Sequence, residues 1–213
     1  MIAGRQVWLA SSTHEGEERV VGHVHASLKE ILPEVLTLLV PRHPARGAEI
    51  AELLTDMGHK VALRSRGEPI THKTDVYIAD TLGELGLFYR AADIVFVGAT
   101  LVPKGGHNPL EPARLSCAIL YGPHTENNIT IYRELAASGA AIQVIGREQL
   151  AREVVALFAD PVKVARMSEA AIRICAKADS VIGRTMSALE PLLVQALEQS
   201  ASPITDAPIR ARA

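Results

Sequence analysis

Two cysteines in 213 residues cannot make a disulfide scaffold. Cys117 and Cys175 both sit in apolar surroundings, which fits buried packing roles in a reducing compartment. The sequence also lacks an apolar run long enough to span a bilayer, and its N-terminus lacks a charged region followed by a hydrophobic one. A net charge of −2 excludes a nucleic-acid or other polyanion partner recruited by bulk charge. Several enzyme signatures are missing as well. No Gly-x-Gly-x-x-Gly follows the first strand, which weakens a dinucleotide-dependent oxidoreductase. No Gly-x-x-x-x-Gly-Lys-Ser/Thr supports a P-loop nucleotidase, and no Gly-x-Ser-x-Gly elbow supports an α/β-hydrolase. Without an Asp-x-Asp pair, the usual metal–diphosphate grip of metal-dependent sugar transfer is absent.

What remains is a folded chain, 48% hydrophobic, in which short apolar runs alternate with helical periodicity. Strands are expected at 7–10, 35–40, 60–64, 76–79, 93–97 and 118–121, with one more short strand at 141–145. Helices are expected between them, followed by a helical tract from 149 to 200 broken near Asp160-Pro161 and Ser180. The strands are continuously apolar rather than alternating. This predicts an α/β fold: a Rossmann-like, doubly wound parallel sheet covered on both faces. Residues 1–200 are expected to form one domain, and 201–213 a disordered polar tail.

In such a sheet, ligands bind beyond the carboxyl ends of the strands. The loops leaving those ends carry Ser12, Thr13, His14, Arg42, His43, Asp80, Thr81, Glu84, Lys104, Gly105, Gly106, His107, Asn108, Glu111, His124 and the run Glu126-Asn127-Asn128. An edge so rich in donors and cations, on a slightly acidic chain, points to a phosphate-bearing small molecule. The stretch 98–112 is central. It turns through Gly105-Gly106 and opens a helix, with Asn108 as N-cap, Pro109 at the first helical position and Glu111 three residues after the cap. Glu111 has two readings here, closing a capping box with Asn108 or contacting a ligand. The edge histidines come from four separate loops without ligand spacing, so no metal and no cofactor are expected. His23 and His25, two apart on the first helix, read as surface residues.

Five runs in order carry a family resemblance: Ala10-Ser-Ser-Thr-His-Glu-Gly-Glu17, Val40-Pro-Arg-His-Pro44, Asp80-Thr-Leu-Gly-Glu-Leu85, Gly105-Gly-His-Asn-Pro-Leu-Glu-Pro112 and Gly122-Pro-His-Thr125. Together they resemble the 3-deoxy-D-manno-octulosonic acid (Kdo) transferases of lipopolysaccharide synthesis, across most of residues 5 to about 195. The resemblance implies one half of a GT-B glycosyltransferase, the C-terminal donor-binding domain. The N-terminal acceptor domain, with the general base, is expected to be absent from this chain, so no catalytic residue is assigned within it. The implied reaction is metal-independent, inverting transfer of Kdo from CMP-Kdo to a lipid A precursor at the cytoplasmic face of the bacterial inner membrane. The isolated domain is expected to bind donor without turnover. The resemblance assigns Arg42 and His43 to the CMP side of the donor, Gly105, Gly106 and Asn108 to the phosphate, and Glu111 to the ribose hydroxyls. Ser12, Thr13, Thr81 and Glu84 complete the pocket. The chain departs from the family pattern at Gly98-Ala99-Thr100, usually Gly-Gly-Ser, and at Glu126-Asn127-Asn128, usually Phe-Asn-Phe. The alternatives are a nucleotide-sugar epimerase-like enzyme and a non-catalytic nucleotide-binding module.

Overall fold

Strands that are apolar on both sides need cover on both sides. The computed structural model, which describes residues 2 and 4–200, provides it. The strands are β1 (Val7–Thr13), β2 (Leu36–Pro41), β3 (Val61–Leu63), β4 (Val76–Ile78), β5 (Ile94–Val97), β6 (Ala118–Tyr121) and β7 (Ala141–Gln143). They form one seven-stranded sheet in the order β3-β4-β2-β1-β5-β6-β7, and every pairing is parallel. The helices are α1 (Glu17–Ile31), α2 (Gly47–Asp56), α3 (Leu85–Tyr89), α4 (Leu110–Arg114), α5 (Ile129–Ala137), α6 (Gly146–Ala159) and α7 (Pro161–Ser200).

Successive strand residues serve opposite faces, as a pleated backbone requires. Trp8 and Ala10 of β1 join Leu39 and Phe96 in a core built with Val21, Val24 and Leu28 of α1, Ile50 and Leu54 of α2, and Leu150 and Val154 of α6. Leu9 joins Leu36, Leu38, Val95 and Ile119 in a second core, built with Phe88 and Tyr89 of α3, Ala113 of α4 and Tyr132 and Leu135 of α5. Trp8 is fully buried, and its indole N–H donates to Thr37 Oγ1 at 2.8 Å, so this large ring enters the core with its one polar atom satisfied.

Most expected boundaries hold within a residue or two, with three corrections. β1 runs on to Thr13, so the polar Ser11–Thr13 segment is strand rather than turn. A bulge at Ser12, with φ at +54°, re-aims the strand exit while the main chain stays paired. His25, expected at the surface, is fully buried, because α1 turns it toward the sheet beside Thr37; His23 is half-buried. The 149–200 tract breaks at Asp160-Pro161 as expected, but α7 continues through Ser180. The chain divides into a compact unit from Met1 to Cys175 and a second unit beginning at Ala176. In the second unit, the α7 residues Met186, Leu189, Leu192, Leu193 and Leu197 are exposed. The tail expected at 201–213 lies outside the described residues. Among the described residues, no helix is long and apolar enough to cross a membrane.

Candidate functional site

The sheet order places the carboxyl ends of β4, β2, β1, β5 and β6 side by side, so the five loops leaving them line one edge. Backbone bonds stitch these loops together. Gly98 N donates to Ser11 O at 2.8 Å, Arg42 N to Thr13 O at 2.9 Å, Gly106 N to Ala99 O at 2.9 Å and His124 N to Thr100 O at 3.0 Å. The approach at Gly98 leaves no room for a side chain, since a Cβ there would lie 2.4 Å from Ser12 O.

Glu17 holds the centre of this edge. Its side chain is fully buried at the start of α1 and accepts four backbone N–H groups: His14 and Ala99 on Oε2 at 2.9 and 2.8 Å, Thr100 and Leu101 on Oε1 at 3.1 and 3.0 Å. Burial pushes its carboxyl up from the ordinary value, and the four N–H groups pull in the opposite direction. Ala99, where the resemblance expects glycine, adopts φ +61°, a strained conformation for alanine that the Glu17 bond helps to hold. Sequence reasoning missed this role; the only signal was the position of Glu17 inside the first matched run.

Three of the four edge histidines come together. His14 and His107 stack with centroids 5.2 Å apart and their Nε2 atoms at 3.1 Å, and His43 meets His14 edge-on at 5.6 Å. The fourth, His124, instead faces Glu126 at 3.6 Å. Burial, then His14, Arg42 and His43, push His107 down to about 4. Burial, then His43, Lys104, Arg42 and Arg46, lower His14. Both imidazoles are therefore neutral at pH 7, one donating to the other, in a field set by Arg42, Lys104 and Arg46. Such a field disfavours further cations and favours an anion.

The Gly105-Gly106 turn adopts φ of +85° and +77°, conformations that glycine enters without steric cost. Residues of the divergent 126–128 run brace it. Asn127 Nδ2 donates to Lys104 O at 3.0 Å, Asn128 Nδ2 to Gly106 O at 3.2 Å, and Asn127 N to Gly105 O at 2.9 Å. Tyr132 OH donates to His107 O at 2.7 Å and fixes the next residue.

Beyond the turn, α4 begins at Leu110 with Pro109 at the N-cap, one residue later than expected, and Asn108, just before it, accepts from Leu110 N through Oδ1 at 3.0 Å. The return bond from Glu111 to the Asn108 N–H is not among the described contacts, and Glu111 is exposed in the first turn. The expected capping box is therefore not formed, and the Asn108 side chain alone reaches the start of α4. α4 has only five residues, too few for a substantial macrodipole, so any anion binding here relies on local N–H groups and nearby cations.

Arg42 and His43 are exposed just past β2, Ser12 is half-buried at the bulge, and Thr13 is fully buried. The loop after β4 is tied toward β3. Asp80 accepts from Ser65 N at 2.8 Å, while Arg64 chelates Glu84 through two nitrogens and Thr81 Oγ1 donates to the same carboxylate. Arg64 and Thr81 hold the Glu84 carboxyl down at about 2. Glu84 is therefore an ion-pair partner of Arg64 in this structure. A cavity of about 320 Å³ lined by Asp93, Ile94, Phe158 and Pro161 lies at the amino end of β5, away from these donors.

No family model matches the chain. Over 190 residues it is 36% identical to the 3-deoxy-D-manno-octulosonic acid transferase of Haemophilus influenzae, an alignment covering 89% of this chain and 44% of that protein. The corresponding transferase of Bordetella pertussis is 37% identical over 196 residues, covering 89% of this chain and 45% of that protein. The chain thus spans less than half the length of these relatives. Among solved structures, the C-terminal CMP-Kdo binding domain of WaaA from Acinetobacter baumannii superposes with a TM-score of 0.78 at 32% identity, covering 81% of this chain and 90% of that one. WaaG, a glycosyltransferase involved in lipopolysaccharide biosynthesis, shares the fold with a TM-score of 0.56 at 16% identity, over 82% of this chain and 44% of that one.

Proposed function

The chain belongs to the 3-deoxy-D-manno-octulosonic acid transferase family, and from that premise we propose that it binds CMP-Kdo as the donor half of a GT-B glycosyltransferase. The observation that carries this reading is the convergence of Arg42, His43, His14, His107 and the Gly105-Gly106 turn on one sheet edge. An electropositive, glycine-lined edge suits a nucleotide phosphate, and the neutral imidazoles add hydrogen-bonding partners without fixed charge.

In this reading Arg42 and His43 take the CMP side of the donor, and the 105–108 turn faces the phosphate. Glu111, exposed beside the turn, accepts from the ribose hydroxyls. Ser12 shapes the pocket floor, and the buried Thr13 supports it from beneath. Thr81 and Glu84 border the pocket, with Glu84 serving through its hold on Arg64. During transfer, an acceptor hydroxyl oxygen bonds to the anomeric carbon of Kdo as the bond from that carbon to the phosphate oxygen breaks. The electron pair of the broken bond leaves with CMP, and the configuration inverts. Arg42 and the turn stabilise the charge that grows on the departing phosphate. The acceptor proton passes to a base outside these 213 residues, on the part of the enzyme that meets a lipid A precursor at the cytoplasmic face of the inner membrane.

Calorimetric titration of the 213-residue chain with CMP and with UMP tests the donor assignment. The reading requires CMP to bind at least tenfold more tightly; equal affinities, or no binding of either, would sink it. A nucleotide-sugar epimerase of similar architecture would instead convert a nucleotide sugar without an acceptor, which product NMR would reveal.

A further inference from the structure

At the other end of the sheet, three groups converge that the donor reading does not use. His25 comes from α1, His59 from the turn between α2 and β3, and Asp75 from the residue before β4. Their exposures are 0%, 8% and 5%. One ligating atom from each lies within 4.8 Å of the other two. His25 Nε2 and His59 Nε2 are both buried and lack a hydrogen-bond partner. The nearest carboxylate oxygen to His25 Nε2, Asp75 Oδ1, stands at 3.7 Å, too far for a hydrogen bond. Two orphaned ring nitrogens beside one carboxylate are costly in a dry interior unless something joins them.

The outer contacts suit ligand duty. His25 Nδ1 bonds Thr37 Oγ1 at 2.8 Å, and Trp8 Nε1 bonds the same oxygen at 2.8 Å, which fixes the ring and leaves Nε2 facing the cluster. The rings of His25 and His59 stand perpendicular with centroids 5.1 Å apart. Asp75 Oδ2 accepts from Lys60 N at 2.9 Å, which orients the carboxylate. A cation already sits on this carboxylate: Lys29 Nζ lies 2.5 Å from Oδ1, on a side chain that is 43% exposed.

We propose that His25, His59 and Asp75 form a zinc(II) site that staples α1, the α2–β3 turn and β4. Two neutral imidazoles and a carboxylate, with no thiolate, make a nitrogen–oxygen set suited to zinc, and a water completes the tetrahedron. Closing to metal–ligand distances requires the ligand atoms to draw in by about 1 Å, and the partly exposed Lys29 swings to solvent as the ion enters. The site lies outside the sequence-level expectation, which weighed a metal only at the histidines of the opposite edge.

The test uses the whole 213-residue chain stripped with EDTA and titrated with zinc chloride by calorimetry, with cobalt(II) absorption as a second probe. The proposal requires one saturable zinc per chain, a raised melting temperature and the visible bands of tetrahedral cobalt. It requires loss of all three in His59→Gln and in Asp75→Asn, and at least tenfold tighter binding in Lys29→Met, where the competing ammonium is gone. Absence of saturable binding in the parent chain would overturn it. So would binding that survives both ligand substitutions, which would place the ion at the His14, His43 and His107 edge, or weaker binding in Lys29→Met.

Discussion

Glu17 Oε1 accepts the Thr100 N–H at 3.1 Å, and Thr100 Oγ1 in turn accepts the Gly122 N–H at 2.8 Å. A buried carboxylate on α1 thus organises the loops leaving β1, β5 and β6 through one threonine. Removing that carboxylate charge should be felt in the shape of these loops as well as in stability. Glu17→Gln puts an amide NH₂ against backbone donors, so about 2–4 kcal/mol of stability should be lost. Urea denaturation measures this, and a loss under about 1 kcal/mol would show that the four bonds contribute little.

The two readings of Glu111 separate cleanly because the Asn108 side chain, not Glu111, bonds the first N–H of α4. Glu111→Ala should leave stability within about 0.5 kcal/mol of the parent. It should weaken CMP binding about tenfold, equivalent to about 1.4 kcal/mol. Asn108→Ala should lose about 1 kcal/mol of stability through the missing bond to Leu110 N. Melting curves and CMP titrations on both variants make the comparison. A Glu111→Ala chain that melts early and binds CMP normally would return Glu111 to a structural role.

The histidine pair sets a pH dependence. His107 is depressed to about 4 by burial and then by His14, Arg42 and His43. A depressed imidazole leaves the folded state neutral while the unfolded chain takes up a proton near its ordinary pKa of about 6.5. The His107 contribution is therefore complete above pH 6.5 and is lost as pH falls toward 4. Solvent access keeps the slope below the roughly 1.4 kcal/mol per pH unit of a sequestered group. Glu17, raised by burial, works in the opposite direction on acidification, so the informative quantity is the difference between the parent and His107→Asn. Urea midpoints between pH 7 and 4 should show a shallower fall in His107→Asn; parallel curves would refute the assignment.

Asn127 and Asn128 occupy a run where the resemblance expects aromatics, yet both side chains donate to carbonyls in and beside the glycine turn. Asn127→Ala with Asn128→Ala should cost about 1 kcal/mol in stability, because the lost bonds are partly exposed. If the turn faces the phosphate, CMP affinity should fall several-fold more than this small loss of stability alone would suggest. Unchanged affinity would mean that the turn holds its shape without the braces.

The sheet and its polar loop edge were legible because continuously apolar strands, breaker residues and loop polarity act locally. Arg42, His43 and Gly105 could be placed at one edge because each follows the carboxyl end of a strand expected to lie in a parallel sheet. What could not be read depends on which way a helix faces. His25 looks like any polar residue on α1, and only packing against Thr37 shows that it is buried. Glu17 resembles an ordinary acidic first-turn residue until β5 brings three backbone N–H groups to it across more than eighty residues of sequence. Glu84 reads as a pocket residue, and its engagement by Arg64 is a tertiary contact that no local motif records.

Mapping CMP onto the chain by amide chemical-shift perturbation tests the central claim most directly. The donor-binding account predicts saturable shifts concentrated in the loops around Arg42, His43 and residues 105–111, with residues near His59 and Asp75 unmoved. Absence of saturable shifts, or shifts centred away from that edge, would contradict it.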